Sequence, residues 1–371
     1  MTTDRFPAGY RASRSAFLQL CASKGARMES FEHPLAGCDG QGVATDVAWF
    51  GPDDARRVLI VNCATHGVEG MCGAGMQLGL LHRGIHERLG PRIRLVLVHA
   101  LNPHGFLDLR RTNEDNVDLN RNFLDHAQRY PDDAAYAEIH PLMLPADWNG
   151  PAHAAADAQL VDFVARRGKA ALQAAISGGQ YSFADGLFYG GRAPAWSNVL
   201  WRKLLHKFAA DARYLAVVDL HSGLGERAAC ELISGAAHGS KEHRLAQQWF
   251  GDRLVFPGST STAPAAVGFM GTSLGDTLPH VDSALVVAEI GTVAFDQVLH
   301  ALRADNWLHA RGSRATPLWD ETKAAMDAAF VGRDRDWQEA VIEHGVAICQ
   351  RVAAGLLDTP DQNVSDRGAM R

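Results

Sequence analysis

Apolar positions along the chain follow two rhythms, and their alternation predicts a sheet wrapped by helices. Short unbroken apolar runs at 57–63, 92–99, 214–220 and 283–289, rich in Val, Leu and Ile, read as strands buried on both faces. Residues 42–50 read as an antiparallel or edge strand, and 230–234 as a short further one. Helical periodicity covers 69–88, 154–175 and 197–210, and resumes from 295 to about 357. After the second buried strand, a stretch rich in Asn, Asp, Arg and Pro reads as loop to about Trp148, and 177–193 is a second irregular, Gly-rich segment. Loops that long in a compact fold are usually functional. The order predicts an α/β protein with a mixed, mostly parallel doubly wound sheet flanked by helices. With no internal repeat or linker, a single domain is expected over 1–371. Its core spans about 40–310, followed by C-terminal helices over 311–357 and a frayed tail over 358–371.

Composition narrows the classes. Hydrophobic residues make up 47% and charged residues 21%, and the formal charge of -6 provides no basic field for nucleic acid. No apolar run approaches the ~20 residues a spanning helix needs, so no membrane is expected. The N-terminus has no apolar core of a secretory signal, which makes the cytoplasm the expected location. The six cysteines show no Cys-x-x-Cys pair, so a metal here would be held by histidine and carboxylate. Nothing in the sequence fixes an oligomeric state.

The chemistry gathers at strand ends. His66 and Glu69 follow the 57–63 run, where the chain leaves a buried strand into glycine-punctuated turn, the place where open α/β sheets bind ligands. His221 closes the 214–220 run and Glu289 the 283–289 run. Two imidazoles and one carboxylate (His66, Glu69, His221) satisfy a catalytic zinc, which takes three protein ligands and keeps one position open. Glu289 is then free to act as the base, passing its proton to the leaving amine. The long loop adds Arg110, Arg111, Asp118, Asn120 and Arg121. Guanidinium forks bind carboxylates, amide side chains add directional bonds, and Asp118 is a candidate to fix a histidine tautomer.

The series His66-x-x-Glu69, Asn102-Pro-His-Gly, Val117-Asp-Leu-Asn-Arg-Asn-Phe123, Asp219-Leu-His221-Ser and Glu289 resembles the zinc metallocarboxypeptidase superfamily over roughly residues 40 to 310. It is similar in particular to an uncharacterised bacterial branch near the succinylglutamate desuccinylase and aspartoacylase group. The resemblance implies one Zn2+ per chain on His66, Glu69 and His221, with Glu289 as general base and acid for attack by zinc-activated water. It also implies that Asn120 and Arg121 hold a terminal carboxylate and that Asp118 orients His66. The oxyanion-stabilising arginine falls at Arg111, with Arg110 as its alternative and as a further substrate-binding cation. The implied substrate is a small peptide or an N-acyl amino acid, the latter for a deacylase of desuccinylase or aspartoacylase type. One departure stands out: carboxypeptidases close a tyrosine over the substrate, and no tyrosine follows Tyr214 here. Phe269, Tyr181 and Tyr189 are the candidates to fill that space.

Two other readings compete. Gly271-Thr-Ser273-Leu-Gly275 matches the Gly-x-Ser-x-Gly elbow of serine hydrolases, although no firm strand precedes it. A non-catalytic zinc-binding protein is the other, and the presence of Glu289 beside all three ligands argues against it.

Overall fold

The computed structural model describes residues 6–251, 253–257, 260–261 and 265–360. Eight strands, β1 (Arg27–Ala36), β2 (Gly42–Phe50), β3 (Arg57–Cys63), β4 (Ile93–His99), β5 (Tyr214–Gly223), β6 (Cys230–Ile233), β7 (Leu254–Val255) and β8 (Asp282–Gly291), form one sheet in the order β1-β2-β4-β3-β5-β8-β6-β7. The central β4, β3, β5 and β8 run parallel, β1 pairs antiparallel with β2, β2 with β4 and β6 with β8, and the edge strand β7 runs parallel to β6. The mixed α/β sheet expected from the apolar rhythm is therefore present. Every residue of β3, β4, β5 and β8 is buried, as expected of strands covered on both faces.

Alternate residues of these strands feed two separate apolar clusters. Val217 and Leu285 face one that includes Trp201 and Leu204 of the helix Trp196–Ala209. Val218 and Val286 face the other, shared with the helices Gly9–Ser23, Gly70–His82, Lys241–Phe250 and Arg335–Asp358. By the two-residue period of a strand, Asp219, His221 and Glu289 continue the Val217 and Leu285 face.

Several expected elements are revised. The strand Gly42–Phe50 is antiparallel but interior, because β1, absent from the sequence reading, lies outside it. The helix expected over 69–88 is a 3-10 turn at Gly67–Glu69, then Gly70–His82, then Ile85–Arg88 after a left-handed Gly84. That over 154–175 is two helices, Pro151–Arg167 and Lys169–Ser177, separated at Gly168 with φ 84°. The long loop contains the helix Ala134–Met143. Arg335–Asp358 is by length and composition apolar enough to cross a membrane, contrary to the expectation of no such run. Half of its most apolar stretch is buried within the fold, packed on Gly70–His82 and Lys241–Phe250. From residue 361 on, the expected tail lies outside the described residues, as do the first five residues of the N-terminal segment.

Candidate metal centre and substrate cavity

At the end of β3 the chain turns out through Ala64, which adopts φ 58°, and reaches His66 and the turn Gly67–Glu69. That turn is stitched to the long loop: Val68 N donates to the Arg110 carbonyl at 2.7 Å and Gly67 N to the Arg111 carbonyl at 3.3 Å. Gly67 is required by this approach, since a Cβ there would run into the backbone of Gly105 and Phe106. His221 and Glu289 are direct register neighbours on the parallel strands β5 and β8, inside the strands rather than past their ends.

His66, Glu69 and His221 are all buried, and one ligand atom from each lies within 4.8 Å of the others. His66 Nδ1 stands 3.0 Å from Glu69 Oε1, and His221 Nδ1 stands 2.9 Å from Glu69 Oε2. Burial alone would push the Glu69 carboxyl up, but the two histidines hold it well below the usual carboxylate range. The far nitrogens also have carboxylate partners. His66 Nε2 lies 3.2 Å from Asp118 Oδ1, and His221 Nε2 lies 2.6 Å from Asp219 Oδ2. Asp219 accepts in turn from Asn62 Nδ2 and Thr65 Oγ1, both at 2.7 Å. Burial opposes charge on His221, yet Asp219 and Glu69 drive its pKa well above the ordinary histidine value. This donor set fits a zinc ion: two imidazoles presenting Nδ1, one carboxylate, and a carboxylate behind each imidazole to fix its tautomer.

Glu289 shares the cavity. Its Oε1 accepts from Leu224 N at 3.0 Å, and Oε2 has no such donor among the described residues. Burial, reinforced by Glu69, pushes its pKa up to about 7. Arg111 spans the centre, with Nε donating to Asp118 Oδ2 at 2.8 Å, Nη1 3.4 Å from Glu69 Oε1 and Nη2 2.8 Å from His66 Nε2. Asp118 also accepts from Asn120 N at 2.9 Å. Its own burial is overcome by Arg111, His66 and Arg121, which hold it well below the carboxylate range. Asn120 Oδ1 accepts from Met270 N, which turns its amide nitrogen the other way. Arg121 donates to the Ser177 carbonyl through Nε and Nη2 and to the Asn120 carbonyl through Nη1. It packs so closely that a Cβ at Gly179, itself at φ 98°, would stand 2.8 Å from Arg121 Cδ.

The three candidate ligands, Glu289, Arg111, Asn120 and Arg121 line a cavity of about 500 Å³ whose walls are otherwise mostly apolar. Arg110, expected as a substrate-binding cation, is not among its lining residues. Its guanidinium turns away to Asp305 at 3.2 Å and to Asn116 at 2.8 Å. No described tyrosine lines the cavity: the Tyr181 hydroxyl donates to the Arg121 carbonyl, while Phe188, Phe256, Phe269, Phe295 and Phe330 supply the aromatic surface. Asp219 and Phe188 are site groups that the sequence did not single out. The first stands in the Asp-Leu-His motif, whereas the second carries no polar signal. Ser273 is fully buried at the start of a short helix. Its Oγ donates to the Met270 carbonyl at 2.6 Å and accepts from Trp201 Nε1 at 3.0 Å, which removes the serine-elbow reading.

The sheet with its helix layers and the site at its strand ends define an α/β protein of metallo-carboxypeptidase-like fold. The chain belongs to the family described as "Protein of unknown function (DUF2817)", whose model matches residues 6–344. No curated protein matches it in sequence. It is similar in fold to bovine thrombin-activatable fibrinolysis inhibitor, solved in complex with a tick carboxypeptidase inhibitor, at 11% identity and a TM-score of 0.54, covering 95% of this chain and 98% of that one. Carboxypeptidase A from Helicoverpa armigera matches at 12% identity and a TM-score of 0.47, over 94% of this chain and 74% of that one. A metallo-carboxypeptidase from Burkholderia cenocepacia matches at 11% and 0.44, over 91% and 69%. Identities this low speak to fold, and function has to be argued from the site.

Proposed function

We propose that the protein is a zinc-dependent hydrolase that cleaves an amide bond next to a free carboxylate, in a peptide or an N-acyl amino acid. The observation that carries this reading is the buried convergence of His66, Glu69 and His221, with Glu289 beside them in register. Zinc held by the three would act as a Lewis acid, polarising a carbonyl and acidifying water. Glu289 takes up a proton at Oε2, the oxygen its backbone donor leaves free, and delivers it to the leaving nitrogen. Its raised pKa suits a group that must both accept and return a proton near neutrality. Arg111 places a fixed positive charge where the carbonyl oxygen becomes anionic. The Asn120 amide nitrogen and the unspent N–H groups of Arg121 hold the substrate carboxylate.

The walls bear on the choice of substrate. Ile233 and Val287, register neighbours on β6 and β8, face the cavity from the sheet, and Leu299 and Leu302 face it from the helix Phe295–Arg311. Apolar groups on either side of the amide suit these surfaces. Among the described lining residues Arg111 and Arg121 are the guanidinium groups, and this reading uses both. Neither remains for the extra carboxylate of a succinyl or aspartyl group, which favours peptides and apolar N-acyl amino acids over a desuccinylase-type substrate.

Purified protein should contain about one zinc per chain. Glu289→Gln should retain it while losing roughly 10²- to 10⁴-fold in turnover, and His66→Ala should lose the metal. An ordinary rate for Glu289→Gln, or full zinc in His66→Ala, would overturn the proposal. A panel of peptides set against N-acyl amino acids decides between the two substrate forms.

A further inference from the structure

Phe188 has no part in the mechanism above, yet it touches both of its arginines. The Arg111 guanidinium lies 4.8 Å from the centre of its ring and that of Arg121 lies 5.3 Å away, and all three side chains line the cavity. Two like charges in a mostly apolar recess repel, and the electron-rich face of an aromatic ring is one of the few uncharged groups that attracts both. The backbone is arranged to deliver the ring there. Phe188 adopts φ 51°, a left-handed conformation unusual for a bulky residue. It is held by bonds on every side: Gln180 N donates to the Phe188 carbonyl at 3.2 Å, Leu187 N to the Tyr136 hydroxyl at 2.6 Å, and Asp118 N to the Tyr189 carbonyl at 2.7 Å. The last bond ties the segment to the carboxylate that grips Arg111. A strained residue fixed so fully is a sign of a positioned side chain.

We propose that Phe188 is a positioning residue of the substrate site: its ring holds Arg111 and Arg121 at a fixed spacing and thereby sets the preference for a substrate bearing a free carboxylate. This rests on the reading of Arg121 and Asn120 as the carboxylate anchor. Hydrogen bonds tie Arg111 to Asp118 and Arg121 to the Ser177 and Asn120 carbonyls, and the Phe188 ring lies close to both guanidiniums.

The test compares binding of N-acetyl-L-phenylalanine with binding of its uncharged amide by calorimetry, on zinc-loaded full-length protein in which Glu289→Gln prevents turnover. With Phe188 intact, this protein should favour the acid. Phe188→Leu and Phe188→Met, which keep an apolar side chain without a ring, should each lose about tenfold of that acid-over-amide ratio, and Phe188→Tyr should keep it. Unchanged ratios in Leu and Met, or an equal loss in Tyr, would overturn the proposal and leave the anchor intact. Equal binding of acid and amide with Phe188 intact would overturn the anchor as well. A measurement free of variants stands beside these: ring current should move the Nε–H signals of Arg111 and Arg121 upfield in 15N–1H spectra, and unshifted signals would count against the arrangement.

Discussion

The two halves of the site are held in place by different means. His221 and Glu289 ride on β5 and β8, where the ladder of backbone hydrogen bonds sets their relative position whatever side chains the strands carry. Arg111, Asn120, Arg121 and Phe188 lie on segments outside the sheet, and each is fixed through the others: Arg111 by Asp118, Asn120 by Met270 N, Arg121 by Ser177, and Phe188 through Gln180 and Tyr136. A strand-borne group therefore needs only a partner to tune it, whereas a loop-borne group is part of what positions its neighbours. Damage in the first half should stay local, and damage in the second should spread.

The largest contrast is expected at Arg111. Arg111→Ala removes the proposed oxyanion donor, at a cost of about 10²- to 10³-fold in kcat. Because its Nε holds Asp118, the carboxylate behind His66, and its Nη1 reaches Glu69, zinc affinity should fall as well. Asp219→Asn in the strand half should weaken zinc by about 10- to 100-fold, with kcat recovering at saturating zinc because the sheet still presents His221. Chelator competition together with zinc titration of activity measures both. Unaltered zinc affinity in Arg111→Ala, or a kcat that stays low in zinc-saturated Asp219→Asn, would erase the difference between the halves.

Legibility in the sequence follows the same division. The buried strands and the residues they carry are readable because an unbroken Val, Leu and Ile run ending in His or Glu fits little besides a covered strand that delivers a polar group to its end. β1 escapes because an exposed edge strand, Arg-Met-Glu-Ser-Phe-Glu-His-Pro-Leu-Ala, has almost no buried face to give it a period. The helix Gly9–Ser23 buries only Tyr10, Ser13, Phe17 and Cys21, too sparse a stripe to stand out beside the sheet signals. In the loops, residue type announces a polar site, but neighbouring arginines cannot be told apart by type, since only the path of the backbone decides which one faces inward. Phe188 is invisible for the opposite reason: an apolar residue in a Gly-rich stretch reads as filler until its ring is seen close to two cations.

Arg110 and Arg111 make the sharpest neighbouring pair. Arg110 pairs with Asp305 in a buried cluster that also holds Lys323 Nζ at 2.7 Å from the same carboxylate. Arg110→Gln should lower stability by roughly 2 kcal/mol, the order of cost for leaving a buried polar group short of a partner. Zinc content should be unchanged and kcat within a fewfold of the parent. Denaturant unfolding and steady-state rates on the two single variants separate the roles, and a kcat loss in Arg110→Gln matching that of Arg111→Ala would show that the inward position is wrongly assigned.

The smallest effect concerns a strand end that carries no chemistry. β4 ends in His99, buried as deeply as His221, but its ring packs among Phe17, Tyr10 and Phe106, the carboxylate opposite it on β2, Asp46, is paired with Arg14, and neither ring nitrogen has a hydrogen-bond partner among the described residues. Burial pushes its pKa down from 6.5 to about 4, with Asp46 only partly offsetting it and Arg14 adding to the shift. The folded state thus refuses a proton that the unfolded chain accepts. Above pH 6.5 neither state is protonated there and the residue makes no pH-dependent difference. As pH falls from 6.5 towards 4, stability drops by up to about 1.4 kcal/mol per pH unit, roughly 3 kcal/mol in all. His99→Phe keeps an aromatic ring in the cage and should flatten that part of the stability curve. Urea unfolding midpoints measured from pH 7 to pH 4 decide the matter: a slope in His99→Phe as steep as in the parent would place the acid sensitivity elsewhere. A flattened slope would show that His99, with no carboxylate on either ring nitrogen, is a buried group the fold keeps neutral, in contrast to His221, whose two nitrogens meet Glu69 and Asp219.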